Sequence, residues 1–203
     1  MATDIVIPKK ERWTYKDYMN LTPPDSFGFE ILRGELIVAP APRPKHQWVC
    51  DELTSLIRAF VKQKDLGRVF SSPIDVILGG EAESENVVQP DLLFVAKDRL
   101  DIITETNVLG APDLMVEILS PSSIRRDRAD KMKLYAEFGV VEYWIIDADQ
   151  KILEAFDLTG DMPVLLATLA ESDVFHPGLF PGLVIALSEL WYPETNDSDE
   201  KDT

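Results

Sequence analysis

The 203-residue sequence is poor in the residues that form disulfides or bind soft metals: it has one cysteine, Cys50, and two histidines, His46 and His176. A single cysteine excludes an internal disulfide framework, and so few cysteines and histidines exclude a zinc site built from them. No apolar run reaches the roughly 18 residues that a membrane helix needs. The first residues, 1–12, lack the apolar core of a signal peptide. We therefore expect a reduced, cytoplasmic protein with no membrane segment.

Positive charge is also scarce. The chain has 20 Lys and Arg residues against 36 Asp and Glu residues, which gives a formal net charge of −16. Such a chain repels nucleic acid unless metal ions or a local basic cluster offset its charge. The end of the chain, 193–203, contributes −4 of that charge and has no apolar side chain to bury. We predict a single domain over residues 1–192 and a disordered acidic tail over 193–203.

The order of the apolar patterns predicts a mixed α/β (α+β) fold, in which helices flank a mixed central sheet after an N-terminal helix and a β-hairpin. Helical spacing predicts helices over 14–21, 45–65 and 124–138, with Gly67 and Gly139 ending the last two. A turn at Arg33-Gly34 predicts the hairpin over 27–38. The other predicted strands are 68–71 paired with 74–78, then 91–95, 113–119, 142–147 paired with 152–158, and 164–169.

Carboxylates interrupt two of the most apolar predicted strands. In the strand 113–119, both alternations are apolar except at Glu117, which is typical of a central strand covered on both faces. A carboxylate there is costly unless it is paired, hydrogen-bonded or metal-bound, so Glu117 has either a structural or a functional role. Asp91 begins the other run, where a turn role is the alternative. Asp113 lies about 13 Å from Glu117 along the strand, too far to share a cation, so Asp91 is the better partner.

A lysine lies on the apolar face of the predicted helix 124–138. At about 100° per residue, Lys131 falls in the centre of the stripe that includes Ile124 and Tyr135, whereas Lys133 lies on the opposite, solvated face. Lys131 either extends outward, pairs with Asp127 one turn earlier, or directs its ammonium at the two carboxylates. In the last case the three groups suit Mg²⁺-dependent phosphodiester hydrolysis, since Mg²⁺ prefers oxygen ligands and keeps waters that can attack phosphorus.

The two lysines of this helix therefore give contrasting expectations. Lys131→Met is expected to leave folding intact and to lower cleavage by about 10²-fold, the scale for losing one preorganised charge. Lys133→Met is expected to change cleavage little. Three arginines at the start of the helix, Arg125, Arg126 and Arg128, are either balanced by neighbouring aspartates or contact a DNA backbone.

Several of these segments, taken in order, resemble a known family. The segments are FEILRGEL (29–36), VQPDLLFV (88–95), GAPDLMVEILSPS (110–122), the stretch 127–135, and GVVEYWIID (139–147). Together, over roughly residues 12–190, they are similar to the Uma-type family of restriction endonucleases, which belongs to the PD-(D/E)xK nuclease superfamily. Each segment alone is a weak signal, and their ordered combination is specific.

The resemblance implies a restriction-endonuclease-like fold and an endonuclease that hydrolyses DNA with Mg²⁺, or Mn²⁺ as a substitute. Pro90-Asp91 matches the family's PD and Glu117 its second acid, so these two carboxylates are the implied metal ligands. The superfamily's lysine would fall at Leu119, and Lys131 matches the helix lysine that substitutes for it in this branch. Glu30 resembles the first acidic motif, and its alternative role is a cross-strand partner on an exposed face.

Three residues are candidates for supporting roles in this site. Gln89 resembles the polar residue before the PD, His46 matches a family histidine, and Tyr135 shares the stripe of Lys131. A turn role for Gln89 and a core or capping role for His46 are the alternatives. The resemblance and a duplex substrate also suggest a two-fold homodimer. The alternative function is a non-catalytic module that keeps the nuclease fold for binding or assembly, which the acidic composition favours.

Overall fold

A computed structural model describes residues 9–21, 27–121 and 123–193 of the chain. The predicted tail lies outside these ranges from residue 194 onward. The described residues form a six-stranded, a five-stranded and a two-stranded sheet with helices packed on them, which confirms the predicted mixed α+β fold. Within these ranges, no helix combines the length and apolarity that crossing a membrane requires.

The elements follow one another along the chain with short connections. The helices are α1 (Tyr15–Tyr18), α2 (Pro44–Lys64) and α3 (Met132–Phe138), with 3₁₀ turns at Lys97–Ile102 and Leu187–Glu189 and a π-helical turn at Arg126–Lys131. The strands are β1 (Phe27–Leu32), β2 (Glu35–Pro40), β3 (Gly67–Ser71), β4 (Val76–Ile77), β5 (Val87–Val88), β6 (Leu92–Ala96), β7 (Val108–Leu109), β8 (Leu114–Ile118), β9 (Glu142–Asp147), β10 (Ile152–Asp157), β11 (Val164–Ala170), β12 (Val174–Phe175) and β13 (Ile185–Ala186).

The six-stranded sheet has the order β11-β10-β9-β8-β6-β3. Strands β8 and β9 are parallel and the other pairs are antiparallel, so the sheet is mixed as predicted. Both faces of β8 are covered: Val116 packs in the cluster that includes α2, and Met115 packs in the cluster that includes α3. This confirms the prediction that the strand carrying Glu117 is central and buried on both sides.

The five-stranded sheet has the order β2-β1-β5-β4-β7. The predicted hairpin forms it together with three strands of two residues each, and Arg33 and Gly34 turn the hairpin with φ of 52° and 82°. The predicted pairing of 68–71 with 74–78 is wrong, because β3 pairs with β6 in the larger sheet while β4 pairs with β5 and β7. The chain passes from the smaller to the larger sheet between β5 and β6, at residues 89–91.

The long helix α2 begins with Pro44 at its first position, where a missing N–H costs nothing. It ends before Asp65, which adopts a left-handed φ of 53°, and not at Gly67 as predicted. Gly67 instead belongs to β3. A Cβ atom at this position would lie 2.0 Å from the Val95 carbonyl oxygen, so the close approach of β3 to β6 requires glycine.

The predicted helix 124–138 forms, but Arg126–Lys131 are π-helical before α3 begins. Gly139 ends it with a left-handed φ of 86°, as predicted. The wider π turn changes the direction in which the residues before it point. Ile124 is consequently 44% exposed, which corrects its predicted place on the buried stripe, while Lys131 is buried.

Candidate active site

Asp91 lies where the chain enters β6, directly beside Glu117 on the neighbouring strand. Its Oδ2 accepts a hydrogen bond of 2.7 Å from the backbone N–H of Ile118. Leu92 pairs with Val116, so Asp91 stands just beyond the last rung of the ladder and opposite Glu117. The Asp91 side chain thus accepts the hydrogen bond that a backbone carbonyl would accept at the next position of the ladder. This bond holds the Asp91 carboxylate next to that of Glu117.

Glu117 is 5% exposed and points to the face of the sheet that the helix 124–138 covers. Its Oε1 accepts hydrogen bonds of 2.8 Å from the Lys131 ammonium and 2.8 Å from the Tyr135 hydroxyl. The helix therefore supplies both donors. Tyr135 lies one helical turn after Lys131, which is how two side chains of one stripe reach the same oxygen.

The ammonium of Lys131 also joins the two sheets. Besides Glu117 on β8, it donates a hydrogen bond of 2.8 Å to Oε1 of Glu30 on β1. Lys131 is 2% exposed and Glu30 is 4% exposed, so this pair is buried. Lys131 does not extend outward, and Glu30 is not a cross-strand partner on an exposed face. The sequence left open that the ammonium of Lys131 points at Asp91 and Glu117; of these two carboxylates, it donates a hydrogen bond to Glu117.

Asp127 is a fourth carboxylate in this cluster. It is 1% exposed, and its Oδ1 lies 3.8 Å from the Lys131 Nζ atom. Within the described residues this oxygen has no hydrogen-bond partner. The sequence left two alternatives open for Lys131, which were pairing with Asp127 and contact with Glu117. The structure contains both contacts. The spacing of four residues on one helix is the signal that pointed to Asp127.

Three carboxylates lie within 4 Å of the Lys131 ammonium, those of Glu30, Glu117 and Asp127, and Asp91 lies beside Glu117 on the neighbouring strand. Burial raises the pKa of Glu117 well above its usual value; Lys131 opposes this rise, and the other carboxylates add to it. Burial also raises the pKa of Asp127. Burial alone would lower the pKa of Lys131, but the attraction of the carboxylates outweighs it and raises that pKa. The lysine is therefore charged, and the raised pKa values of Glu117 and Asp127 mean that negative charge on these two buried carboxyl groups is costly.

His46 supports Asp91 from the first turn of α2. Its Nε2 lies 3.2 Å from Asp91 Oδ2, the oxygen that also receives the Ile118 N–H. Burial lowers the pKa of His46, but the hydrogen bond and charge of Asp91 raise it by more, so the net shift is upward. The contact places His46 beside Asp91, and α2 has no side-chain hydrogen bond at its N-cap, so His46 does not cap the helix; its supporting role stays a prediction.

Gln89 contacts two other acidic side chains and not Asp91. Its backbone N–H donates to Glu30 Oε1 at 3.0 Å. Its side-chain amide donates to Asp75 Oδ1 at 2.8 Å and to the hydroxyl of Tyr18 at 3.2 Å. Tyr18 lies in the predicted helix 14–21 and Asp75 in the predicted strand 74–78, but the sequence did not single them out because neither belongs to a recognisable motif.

The structure separates the three arginines that the sequence groups together. Arg128 forms an ion pair with Glu154 on β10. Arg126 is partly buried, with its Nε 3.7 Å from Oδ1 of Asp127, which places it at the edge of the carboxylate cluster. Arg125 is exposed. Only Arg126 therefore lies in contact with the cluster.

Asp113, the aspartate of the second Pro-Asp pair, lies apart from this cluster. Its Oδ1 accepts a hydrogen bond of 2.8 Å from Arg99, and its Oδ2 accepts one of 2.7 Å from the backbone N–H of Ala96. Both oxygens are thus engaged in holding the 3₁₀ turn after β6 to the start of β8. This is a structural role, consistent with the choice of Asp91 from the sequence.

The cluster suits a magnesium ion, although three His, Cys, Asp or Glu side chains arranged as a metal cage do not occur in the described ranges. Mg²⁺ needs no such cage, because it binds through one or two carboxylates and keeps several waters. The second oxygens of Asp91 and Glu117 receive no hydrogen bond from the described residues, and a cation beside Glu117 would offset the cost of negative charge there. Asp91 and Glu117 are therefore the residues that fit the ion.

Comparison with known proteins identifies the family of the chain. Residues 15–188 match the Uma2 family, described as "Putative restriction endonuclease". The chain belongs to the Uma2 family. The match includes Glu30, Asp91, Glu117 and Lys131, so this Uma2 protein has its whole carboxylate cluster within the family region.

Two individual relatives extend the comparison. The Uma2 chain is 25% identical over 141 residues to "Uncharacterized protein sll1609" of Synechocystis sp., covering 69% of this chain and 77% of that protein. A solved structure described as a putative nuclease belonging to DUF820, from Anabaena variabilis, superposes with a TM-score of 0.71 at 20% identity. The superposition covers 88% of this chain and 97% of that chain, so the two proteins share one fold over most of their length.

Proposed function

We propose that this Uma2 protein is a Mg²⁺-dependent endonuclease that hydrolyses phosphodiester bonds of DNA. The observation that carries the proposal is the adjacency of the Asp91 and Glu117 carboxylates on neighbouring strands, with the Lys131 ammonium bonded to Glu117. Two carboxylates and one lysine on a covered sheet are the groups that metal-assisted phosphodiester hydrolysis needs.

Each residue has a role that follows from its contacts. The free oxygens of Asp91 and Glu117 would hold the Mg²⁺ ion, which supplies a nucleophilic water and neutralises negative charge on the phosphate. Lys131 holds Glu117 in place and adds positive charge near the phosphate that is attacked. His46 fixes the other oxygen of Asp91.

Glu30 and Asp127 position Lys131 and do not touch the substrate in this proposal. Glu30 accepts a hydrogen bond from the ammonium, and Asp127 lies on its other side. Because these carboxylates keep Lys131 charged and centred between the sheets, removing either one should let the ammonium move toward the carboxylates that remain. Tyr135, which donates to the same oxygen of Glu117, limits how far that carboxylate can turn.

Contact with the DNA backbone is assigned to Arg125 and Arg126. Both are at the start of the helix that carries Lys131, and Arg126 lies beside the carboxylate cluster. Arg128 is less available because Glu154 pairs with it. A chain with a net charge of −16 needs such local contacts, and replacing either arginine should make binding weaker and less dependent on salt.

A two-fold homodimer is part of the proposal, because a duplex presents two strands that related copies of one site can cut. Sedimentation at micromolar concentration should show a dimer. A monomer under these conditions would contradict the dimer without affecting the assignment of the metal ligands.

The test of the activity is nicking of supercoiled plasmid with Mg²⁺ and with Mn²⁺. Asp91→Asn is the matched variant, because its amide oxygen can still accept from Ile118 and His46 while the free oxygen becomes an NH₂ group. We expect wild type to nick the plasmid and Asp91→Asn to be inactive. Asp130→Asn, which makes the same change on an exposed position of the helix, should remain active. Equal nicking by wild type and Asp91→Asn would refute the proposal.

Thermal stability gives an independent test of metal binding. An ion that binds only the folded state stabilises it, by about 2.7 kcal/mol at a hundredfold excess over its Kd. Mg²⁺ should therefore raise the melting temperature of wild type and of Asp130→Asn but not that of Asp91→Asn. An identical response in all three proteins would place the ion elsewhere.

The second candidate function is a non-catalytic module that uses the nuclease fold for binding or assembly. The net charge of −16 favours it, because such a protein is repelled by the substrate of a nuclease. This candidate predicts no nicking with either metal and no stabilisation by Mg²⁺. The two experiments above therefore separate the two functions.

A further inference from the structure

A cleft of about 360 Å³ opens on the five-stranded-sheet side of the candidate active site. Its walls include the apolar side chains of Phe70, Ile74 and Ile103, and its interior contains Asp75 and Gln89. The volume falls in the range of pockets that hold small organic ligands, and apolar walls with a few polar groups are typical of them.

The cleft is physically joined to the carboxylate cluster. Gln89 lines the cleft, and its backbone N–H donates to Glu30, which in turn accepts from Lys131. On the other side, the backbone N–H of Ser72, between two lining residues, donates to the carbonyl oxygen of Asp91 at 3.1 Å. A group in the cleft would therefore lie close to whatever the cluster holds.

Among the polar residues that line the cleft, Asp75 is a carboxylate whose orientation is fixed by its neighbours. The Tyr18 hydroxyl and the Gln89 amide both donate to its Oδ1, each at 2.8 Å, and so fix the orientation of the carboxylate. Its Oδ2 accepts no hydrogen bond from the described residues. The cleft thus offers a held acceptor with negative charge.

The lining also indicates which ligands are disfavoured. No lysine or arginine is among the described residues that line the cleft, and Glu105 adds a second negative charge at its exposed rim. Phosphate and other anions are repelled there. A flat, uncharged group with a hydrogen-bond donor fits both the apolar walls and the free oxygen of Asp75.

We propose that this cleft binds a nucleobase with an exocyclic amino group, next to the phosphodiester held at the carboxylate cluster. The proposal rests on the proposed nuclease function, and it makes Asp75 a specificity-determining residue. Adenine, cytosine and guanine donate an amino N–H to Asp75 Oδ2. Thymine is rejected, because its one N–H donor lies between two carbonyl oxygens that the carboxylate repels.

The experiment is a nuclear magnetic resonance titration of the full-length, metal-free protein with each of the four deoxynucleosides, which does not require cleavage. Deoxyadenosine, deoxycytidine and deoxyguanosine should shift the backbone amide signals of residues 104–107 at the rim, and thymidine should not. Asp75→Asn keeps an oxygen for Tyr18 and Gln89 but replaces the free oxygen with an NH₂ group. It should melt like wild type and bind these three nucleosides about tenfold or more weakly.

Asp98→Asn is the control, since it removes one negative charge at an exposed position outside the lining of the cleft and should leave binding unchanged. Equal shifts with thymidine, no shifts with any nucleoside, or undiminished binding by folded Asp75→Asn would overturn the proposal. Plasmid nicking distinguishes this result from failure of the nuclease function: nucleoside binding without nicking by wild type contradicts the proposed activity alone. Nicking without nucleoside binding contradicts the base site alone.

Discussion

Replacement of Lys131 by methionine tests the central contact of the cluster. The methionine keeps most of the aliphatic volume and removes the ammonium that donates to Glu30 and Glu117, each at 2.8 Å. Sequence alone leads to the expectation that folding is unaffected. The structure changes that expectation, because the Lys131 side chain is 3% exposed and its carboxylate partners are buried as well.

The magnitude follows from the charges that remain after the substitution. Removing one partner of a buried ion pair costs about 3–5 kcal/mol, since the other charge stays buried without compensation. In a protein of this size, each kcal/mol shifts the melting temperature by about 2–4 °C. We therefore expect Lys131→Met to melt about 6–20 °C below wild type in metal-free buffer. Lys133→Met, on the exposed face, should stay within about 0.5 kcal/mol of wild type.

The assay is urea denaturation of both variants without divalent ions, followed by plasmid nicking with Mg²⁺ below the melting temperature of each. Cleavage should fall by about 10²-fold in Lys131→Met and little in Lys133→Met. Adding Glu30→Gln to Lys131→Met should recover part of the lost stability, because one uncompensated carboxylate is removed. Equal stability and equal cleavage in the two lysine variants would refute the reasoning that Lys131 is the charge at the centre of the cluster.

Three other predictions concern residues outside the lysine contact. Asp113→Ala should lower stability by about 2–4 kcal/mol, because it leaves the Ala96 N–H without its acceptor and Arg99 without its carboxylate partner, and should spare nicking below its melting temperature. Burial raises the pKa of the Glu142 carboxyl, so the native state binds a proton there more tightly than the unfolded state does. As the pH rises and this carboxyl loses its proton, the free energy of unfolding of wild type therefore falls. The melting temperature of Glu142→Gln minus that of wild type should accordingly increase from pH 4 to pH 8; a pH-independent difference would argue against this origin. Deletion of 194–203 should leave the melting temperature unchanged, because that segment has no apolar anchor, and a loss of several degrees would contradict its predicted disorder.

The parts of the site that are predictable from sequence are those with a periodic signal. Alternation in the strand 113–119 isolates Glu117, and helical spacing isolates Lys131, because an ionisable residue stands out against apolar neighbours. The burial of Glu30 has no such signal. It depends on the helix 124–138 covering one face of the hairpin, and that is a tertiary contact between segments about 100 residues apart.

The errors have equally local causes. The strands β4, β5 and β7 have two residues each, which is too short for an alternating pattern, so their separation into a second sheet is not evident from the sequence. Ile124 was misplaced because a constant angle per residue does not describe a π turn. The pairing of Gln89 with Asp75 and Tyr18 joins three distant segments through hydrogen bonds, for which hydrophobic periodicity gives no information.

The position of Lys131 between the two larger sheets also links the site to the smaller of them, the five-stranded sheet. Glu30 belongs to the five-stranded sheet and Glu117 to the six-stranded sheet, so the ammonium holds its place only while both sheets remain docked. The hairpin that carries Glu30 is joined to the other strands of its sheet through one register pair, Ile31 with Val87, and elements held by few contacts open more readily than the core does. A transient release of the hairpin would remove one acceptor from Lys131 while the larger sheet stayed folded. The site should therefore be lost through partial opening at temperatures or urea concentrations well below those that unfold the whole chain.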